Sequence, residues 1–279
     1  MNKLLHKFYS VLYCLYCALI DTIYNDGIEY AGYLSFLIIL SIFPSLIVLI
    51  ALASTLANFL DRYSIINFAF IIDYIPQDIL ASLMPSIKEI TSNPPRSLLT
   101  LAIMGAIWTA SSTIEGMRTI LNKVYKVSVS SHYILRRILS ILQFLIITLI
   151  MTLAIEFSTL IQLLTDFSYR RLNYAKHLLI EFILFVEVFW LYFTLPNIKQ
   201  NILDVLPGSC ITVILWTISA SVFKQYLKTS FGQKNLIYGS LGSIVVSLLF
   251  FYIMSLAFIY GAKFNFQLKY LNKFRQKDV

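Results

Sequence analysis

The chain has 279 residues, 58% of them apolar and only 13% Asp, Glu, Lys or Arg, where an ordinary soluble domain carries roughly 45–50% apolar and about 25% charged residues. With a mean hydropathy of +0.77, too few charges remain to hydrate a soluble surface, which excludes a soluble enzyme, a disordered regulator and an ordinary nucleic-acid-binding domain. The net charge of +8, from 22 Lys and Arg against 14 Asp and Glu, then reads as basic connections lying against anionic headgroups, not as a nucleic-acid footprint.

A spanning helix needs about 20 mostly apolar residues, because about 30 Å of hydrocarbon is crossed at about 1.5 Å per residue. Residues 8–20 are charge-free but too short by that measure; Lys3, His6 and Lys7 precede them, and Asp21, Asp26 and Glu29 follow. No small-residue cleavage site follows, and Tyr9, Tyr13 and Tyr16 do not suit a signal-peptide core. The segment is predicted to be an amphipathic helix at the membrane interface. Cys14 and Cys17 form a CxxC inside it, but no second pair and no nearby His completes a zinc set, so they read as apolar filler.

The first charge-free tract, 32–60, contains Pro44, which removes a backbone hydrogen bond and is expected to kink or break the helix. In the long connection 61–96, Ile75, Ile79, Leu83, Ile87 and Ile90 recur at three-to-four-residue spacing. That pattern predicts an amphipathic stretch lying on the membrane, split by Pro76, Pro85, Pro94 and Pro95; a helix packed on the bundle is the alternative. Further spans are predicted at 97–114, 138–165, 178–195, 205–223 and 235–262. The fold class is therefore all-α: one integral membrane domain with six transmembrane helices, an amphipathic N-terminal helix and a membrane-associated first external loop.

With the N-terminus inside, the cytoplasmic connections hold 13 Lys and Arg and the opposite side 9. Two dense clusters, Arg118, Lys123, Lys126, Arg136, Arg137 and Lys263, Lys269, Lys273, Arg275, Lys277, fall on the same side. Both termini are therefore expected in the cytoplasm.

Ionisable groups inside spans are costly, by about 2.5 kcal/mol or more, and are functional hypotheses by default. Glu187 lies near the middle of 178–195, Glu156 deep in 138–165, and Glu181 one turn inside an end. No Lys or Arg lies in a span to pair with them, so they are either protonated or face a wet cavity. Gln143, Ser158, Thr159 and Gln162 stand on the same span as Glu156 as hydrogen-bond partners for it. Small residues at Gly105, Ala106, Ala110 and Ser111 permit close helix approach. Catalytic signatures are missing: no GxSxG, GxxxxGK[ST] or GxGxxG occurs. His6, His132 and His177 lie in separate connections, which gives no ligand set for a metal-dependent nuclease. No catalytic residue, metal site or cofactor is expected.

Several stretches resemble one known family. Trp108-Thr109-Ala110-Ser111-Ser112, Leu121-Asn122-Lys123-Val124-Tyr125 and the Arg136-Arg137 pair are similar to the YihY/BrkB family of bacterial inner-membrane proteins (UPF0761 type, once labelled ribonuclease BN). So are Ser41-Ile42-Phe43-Pro44, Leu195-Pro196-Asn197 and Leu206-Pro207-Gly208. The most specific stretches are Tyr238-Gly239-Ser240-Leu241-Gly242-Ser243 and Tyr260-Gly261-Ala262-Lys263-Phe264-Asn265, where Lys263 replaces the acid usual in the family. The resemblance covers roughly residues 28–265. It implies a multi-pass bacterial inner-membrane protein with six helices and both ends cytoplasmic, and it leaves the activity open.

Two functional readings stand. One is a transporter-like protein handling a lipid or another amphipathic solute, motivated by the buried acids and the Pro44 span. The other is a structural or scaffolding membrane protein with basic cytoplasmic ends. The expected partners are membrane lipids, with anionic-lipid contact by the basic connections, and no nucleic acid.

Overall fold

The computed structural model describes residues 2–59, 96–128, 132–164 and 169–275. All regular structure among them is helical: α1 (Asn2–Tyr24), α2 (Gly27–Phe59), α3 (Arg96–Val124), α4 (Tyr133–Leu164), α5 (Tyr169–Thr194) and α6 (Ile202–Arg275). The connection expected to lie on the membrane, 61–96, falls outside the described residues except for its last position.

The 74 residues of α6 would extend about 110 Å if straight, yet the run meets itself. The Gly208 amide donates to Asn265 Oδ1 at 2.7 Å, Trp216 Nε1 donates to the Met254 carbonyl at 2.8 Å, and the Phe223 and Phe250 rings stack at 4.4 Å. Each later position in the first arm meets an earlier one in the second, so the run returns antiparallel, with its reversal between Phe223 and Phe250. The two arms, Ile202–Leu227 and Val245–Leu271, are each long and apolar enough to cross a membrane, as is Tyr133–Ala154 of α4. They correspond to the predicted spans 205–223, 235–262 and 138–165.

α4 shows why these helices suit lipid. Ile138, Leu139, Leu142, Ile146, Leu149 and Leu153 form an exposed stripe, while Ser140, Phe144, Thr148 and Thr152 are buried. A water-facing helix would show the reverse. Thr148 and Thr152 donate to the carbonyls one turn back, at 2.8 Å each, so their hydroxyls need no outside partner. α2 continues through Pro44 as one helical run.

The chain divides into two compact units. The first comprises 1–39, 116–130 and 184–279, the second 40–115 and 131–183. In the first, α1 packs one face, Cys14 and Ala18, against Phe264 of α6, with Leu15, Ile211, Tyr260, Leu268 and Leu271 around it. Its other face exposes Tyr9, Leu12, Tyr13, Tyr16 and Ile23. α1 ends where Asp26 adopts φ 57°, a left-handed turn that Asp tolerates better than most residues. Lys263 closes that end: its ammonium donates to the carbonyls of Asp21 (2.6 Å) and Asn25 (2.9 Å) and stands 3.2 Å from the Asp21 carboxylate. A cation at a helix C-terminus opposes the negative end of its dipole, which explains a lysine at this position in this chain.

Candidate functional site

α3 does not stop at the end of its apolar tract but runs on to Val124. Its last turn closes with the Lys126 amide on the Lys123 carbonyl (3.0 Å) and the Val127 amide on the Asn122 carbonyl (2.9 Å), with Lys126 at φ 54°. That is the Schellman arrangement. It turns the Asn122 side chain inward, where Oδ1 accepts the Asn197 amide at 2.8 Å. Asn197 is presented there because Pro196 cannot continue α5. Across the first unit, Asn265 accepts the Gly208 amide and donates Nδ2 to the Val205 carbonyl at 3.0 Å. The two arms approach so closely that a Cβ on Gly261 would meet Thr212 Oγ1, the Tyr192 hydroxyl and the Gly208 carbonyl. Tyr192 in turn shares a hydrogen bond with Thr212 at 2.7 Å and donates to the Phe258 carbonyl.

These contacts form a buried polar seam, and motif residues of four separate stretches meet in it: Asn122, Asn197, Gly208 and Asn265. Part of the seam is unsatisfied. Asn122 Nδ2, the Tyr125 hydroxyl and Gln200 Oε1 are buried without a hydrogen bond among the described residues. The Tyr125 hydroxyl faces Asn265 and Gln200 short of a bond of normal geometry, and burial holds its ionisation well above the usual phenol range.

Glu187 also belongs to the first unit. It is 8% exposed, and its Oε1 has no hydrogen-bond partner among the described residues. The Ser255 hydroxyl shares that condition. The Tyr192 ring of α5 and the Phe258 ring of the second arm of α6 lie 4.8 Å apart. Glu187 and Ser255 precede these two rings in sequence by five and three residues. Glu181 is exposed. Glu156 lies on α4, and its side chain is outside the described residues.

The second unit holds a charged cluster. Arg137 donates to the Trp108 carbonyl and, at 3.0 Å, to Ser112 Oγ, and its guanidinium lies 4.3 Å above the Trp108 ring. Glu115 accepts from Ser140 at 2.8 Å and lies 3.6 Å from Arg136. Here too, motif residues converge, the Trp108–Ser112 stretch with the arginine pair. The sequence presents Arg118 and Arg137 as loop charges of a basic cluster; in the structure both are on helices and buried. A Cβ on Gly105 would meet nothing within 4 Å, while Ala106, Ala110 and Ser111 of the same stretch are buried; among the glycines, Gly208 and Gly261 stand at a close approach. Among the described residues no group of three or more His, Cys, Asp or Glu is gathered to hold a metal. In the sequence Asn122, Gly208 and Asn265 stand only as marks of resemblance; the signal that they form a site is polarity and glycine at the ends of otherwise apolar helices.

A family description, virulence factor BrkB, matches residues 23–278. A ribonuclease-like protein, YfkH, of Bacillus subtilis is 27% identical over 266 aligned residues, covering 86% of this chain and 90% of that one. A UPF0761 membrane protein of Vibrio atlanticus is 26% identical over 247 residues, covering 84% of this chain and 75% of that one. Another from Actinobacillus pleuropneumoniae is 31% identical over 113 residues, 40% of this chain and 39% of the relative. No solved structure matches the chain.

Proposed function

The chain belongs to the virulence factor BrkB family of membrane proteins, and from that premise we propose that it is a transporter-like protein that moves a lipid or another amphipathic solute across or within the bacterial inner membrane. The observation that carries this reading is Glu187: a carboxyl oxygen buried in a helix of the membrane domain with nothing among the described residues to bond it. An ionisable group at such a place is costly and is retained where a proton or substrate passes. Ser255, three residues before the Phe258 ring that meets Tyr192 of α5, adds a second buried polar group without a hydrogen bond among the described residues. The ribonuclease-like label of the Bacillus relative finds no metal-ligand group among the described residues to support it, and we read the protein as having no catalytic activity.

The orientation with both termini in the cytoplasm is the reading favoured by the basic tail, Lys269, Lys273, Arg275 and Lys277. A scaffolding role is the second reading. It is favoured by one observation, the tightness of the Gly208–Gly261 seam, which leaves no room for a solute between the arms.

The two readings separate in proteoliposomes containing a fluorescent phospholipid, whose inner-leaflet share is shielded from a membrane-impermeant quencher. Transport predicts that the wild type renders nearly all label quenchable and that Glu187→Gln, which keeps size and polarity but cannot ionise, slows this at least tenfold. Equal rates in protein-free, wild-type and Glu187→Gln vesicles would rule out lipid as the solute and leave the scaffold reading ahead.

A further inference from the structure

Arg136 and Arg137 lie near the start of α4, immediately before the exposed apolar stripe that begins at Ile138. Arginine keeps its charge at every accessible pH, so a buried guanidinium cannot become neutral. A buried charge is tolerated beside an opposite charge and is costly otherwise. Arg137 is 6% exposed, and its partners are all neutral: a carbonyl, a hydroxyl and an indole ring. The carboxylate of the cluster, Glu115, stands at Arg136. Among the described residues the cluster thus sets two positive charges against one negative. Arg137 Nε is buried without a hydrogen bond there, and Arg136 Nε has only the Glu115 carboxylate at 3.6 Å.

From this uncompensated charge we infer that Arg136 and Arg137 bind the phosphate of an anionic phospholipid of the surrounding bilayer. The guanidinium fork matches phosphate oxygens in geometry and sign. The placement selects a lipid over free phosphate. The pair sits at the end of a membrane-length helix, the level at which headgroups lie. Tyr133, Ile134 and Leu135 are 60%, 72% and 55% exposed and offer an apolar surface to acyl chains. Trp108, 53% exposed, is the residue type that settles at the headgroup level. The inference needs only the second unit and does not rest on the transport reading.

The test is native mass spectrometry of the full chain released from detergent micelles, titrated with phosphatidylglycerol, phosphatidylcholine and inorganic phosphate. The wild type is expected to retain one phosphatidylglycerol in preference to phosphatidylcholine. Each arginine contributes about fivefold to that preference, so Arg137→Gln and, at a less buried position, Arg136→Gln should each lower it by about that factor. Lys126→Gln, an exposed lysine of the first unit, should leave it unchanged. Equal retention of the two lipids by the wild type overturns the inference even where an arginine variant fails to fold. An undiminished preference in Arg136→Gln overturns it too, as does loss of the preference in Lys126→Gln. Displacement of the lipid by an equal concentration of inorganic phosphate would assign the cluster to the free ion instead.

Discussion

Around Asn122 and Asn265 the first unit buries amides, hydroxyls and backbone groups that mostly answer one another, and glycines bring the two arms of α6 into direct contact. Around Arg137 the second unit buries charge, and the described residues do not balance it. Both places are built from the stretches that carry the family resemblance, yet the physics differs. Most of the seam's neutral polar groups complete their hydrogen bonds within the protein, and so they specify packing. A surplus guanidinium calls for an anion beyond the described residues, and on the inference above that anion is a lipid headgroup. On that inference the first region holds helices together and the second connects the protein to its bilayer.

The comparison is broken most directly by adding volume to the seam. Gly261→Leu forces side-chain atoms into Tyr192, Thr212 and the Gly208 carbonyl, so a loss of about 3 kcal/mol or more is expected; thermal unfolding of the full chain in detergent should show it as a large drop in midpoint. A near-neutral result would mean that the arms do not meet as described. Asn265→Leu comes next. It removes the Gly208 amide's bond to Asn265 in a buried setting, at about 1–3 kcal/mol, while the Val205 carbonyl keeps the Ser209 hydroxyl at 3.0 Å, and the same melts will rank it below Gly261→Leu.

Trp108→Leu sharpens the contrast. It removes the ring beneath Arg137, a contribution of about 1–2 kcal/mol when the pair is desolvated. Because a bound anion also steadies Arg137, the loss should be larger in a neutral detergent than with phosphatidylglycerol added, whereas Asn265→Leu should cost the same in both. A Trp108→Leu penalty indifferent to the lipid would place the two regions in the same class. The smallest effect is expected at Lys126, held in a left-handed turn by the end of α3. Lys126→Gly relieves that strain and loses a 5.6 Å contact over the Phe266 ring. A net stabilisation of about 0.5 kcal/mol should appear in the same unfolding curves.

The helices were legible in the sequence because uninterrupted apolar runs leave few alternatives, and the tracts 138–165, 205–223 and 235–262 recur as α4 and the two arms of α6. The hairpin of α6 was legible as two spans, since basic residues such as Lys224, Lys228 and Lys234 separate them. The continuation of α3 through Arg118 and Lys123 was not, because charged residues after an apolar tract look like a loop, while the helix carrying them is capped only at Asn122–Val127. Glu187 stands out on composition alone, as a carboxyl in an apolar tract; its burial and its unbonded oxygen are what the structure adds. The seam and the arginine cluster were not legible as sites. Arg137 meets Trp108 and Ser112 from 29 and 25 residues away, and Asn265 meets Gly208 from 57, distances at which a single sequence carries no pairing signal.

The central claim is that Glu187 serves a space that water and solute enter. Replacing the free thiols Cys14, Cys17 and Cys210 and introducing Glu187→Cys gives one reporter at that position in native membranes. The transport account predicts that a charged, membrane-impermeant thiol reagent modifies it from one side of the membrane, and far faster than Val222→Cys, whose side chain is 64% exposed on an apolar helix face. A cysteine at 187 that reacts no faster than the one at 222 would contradict it.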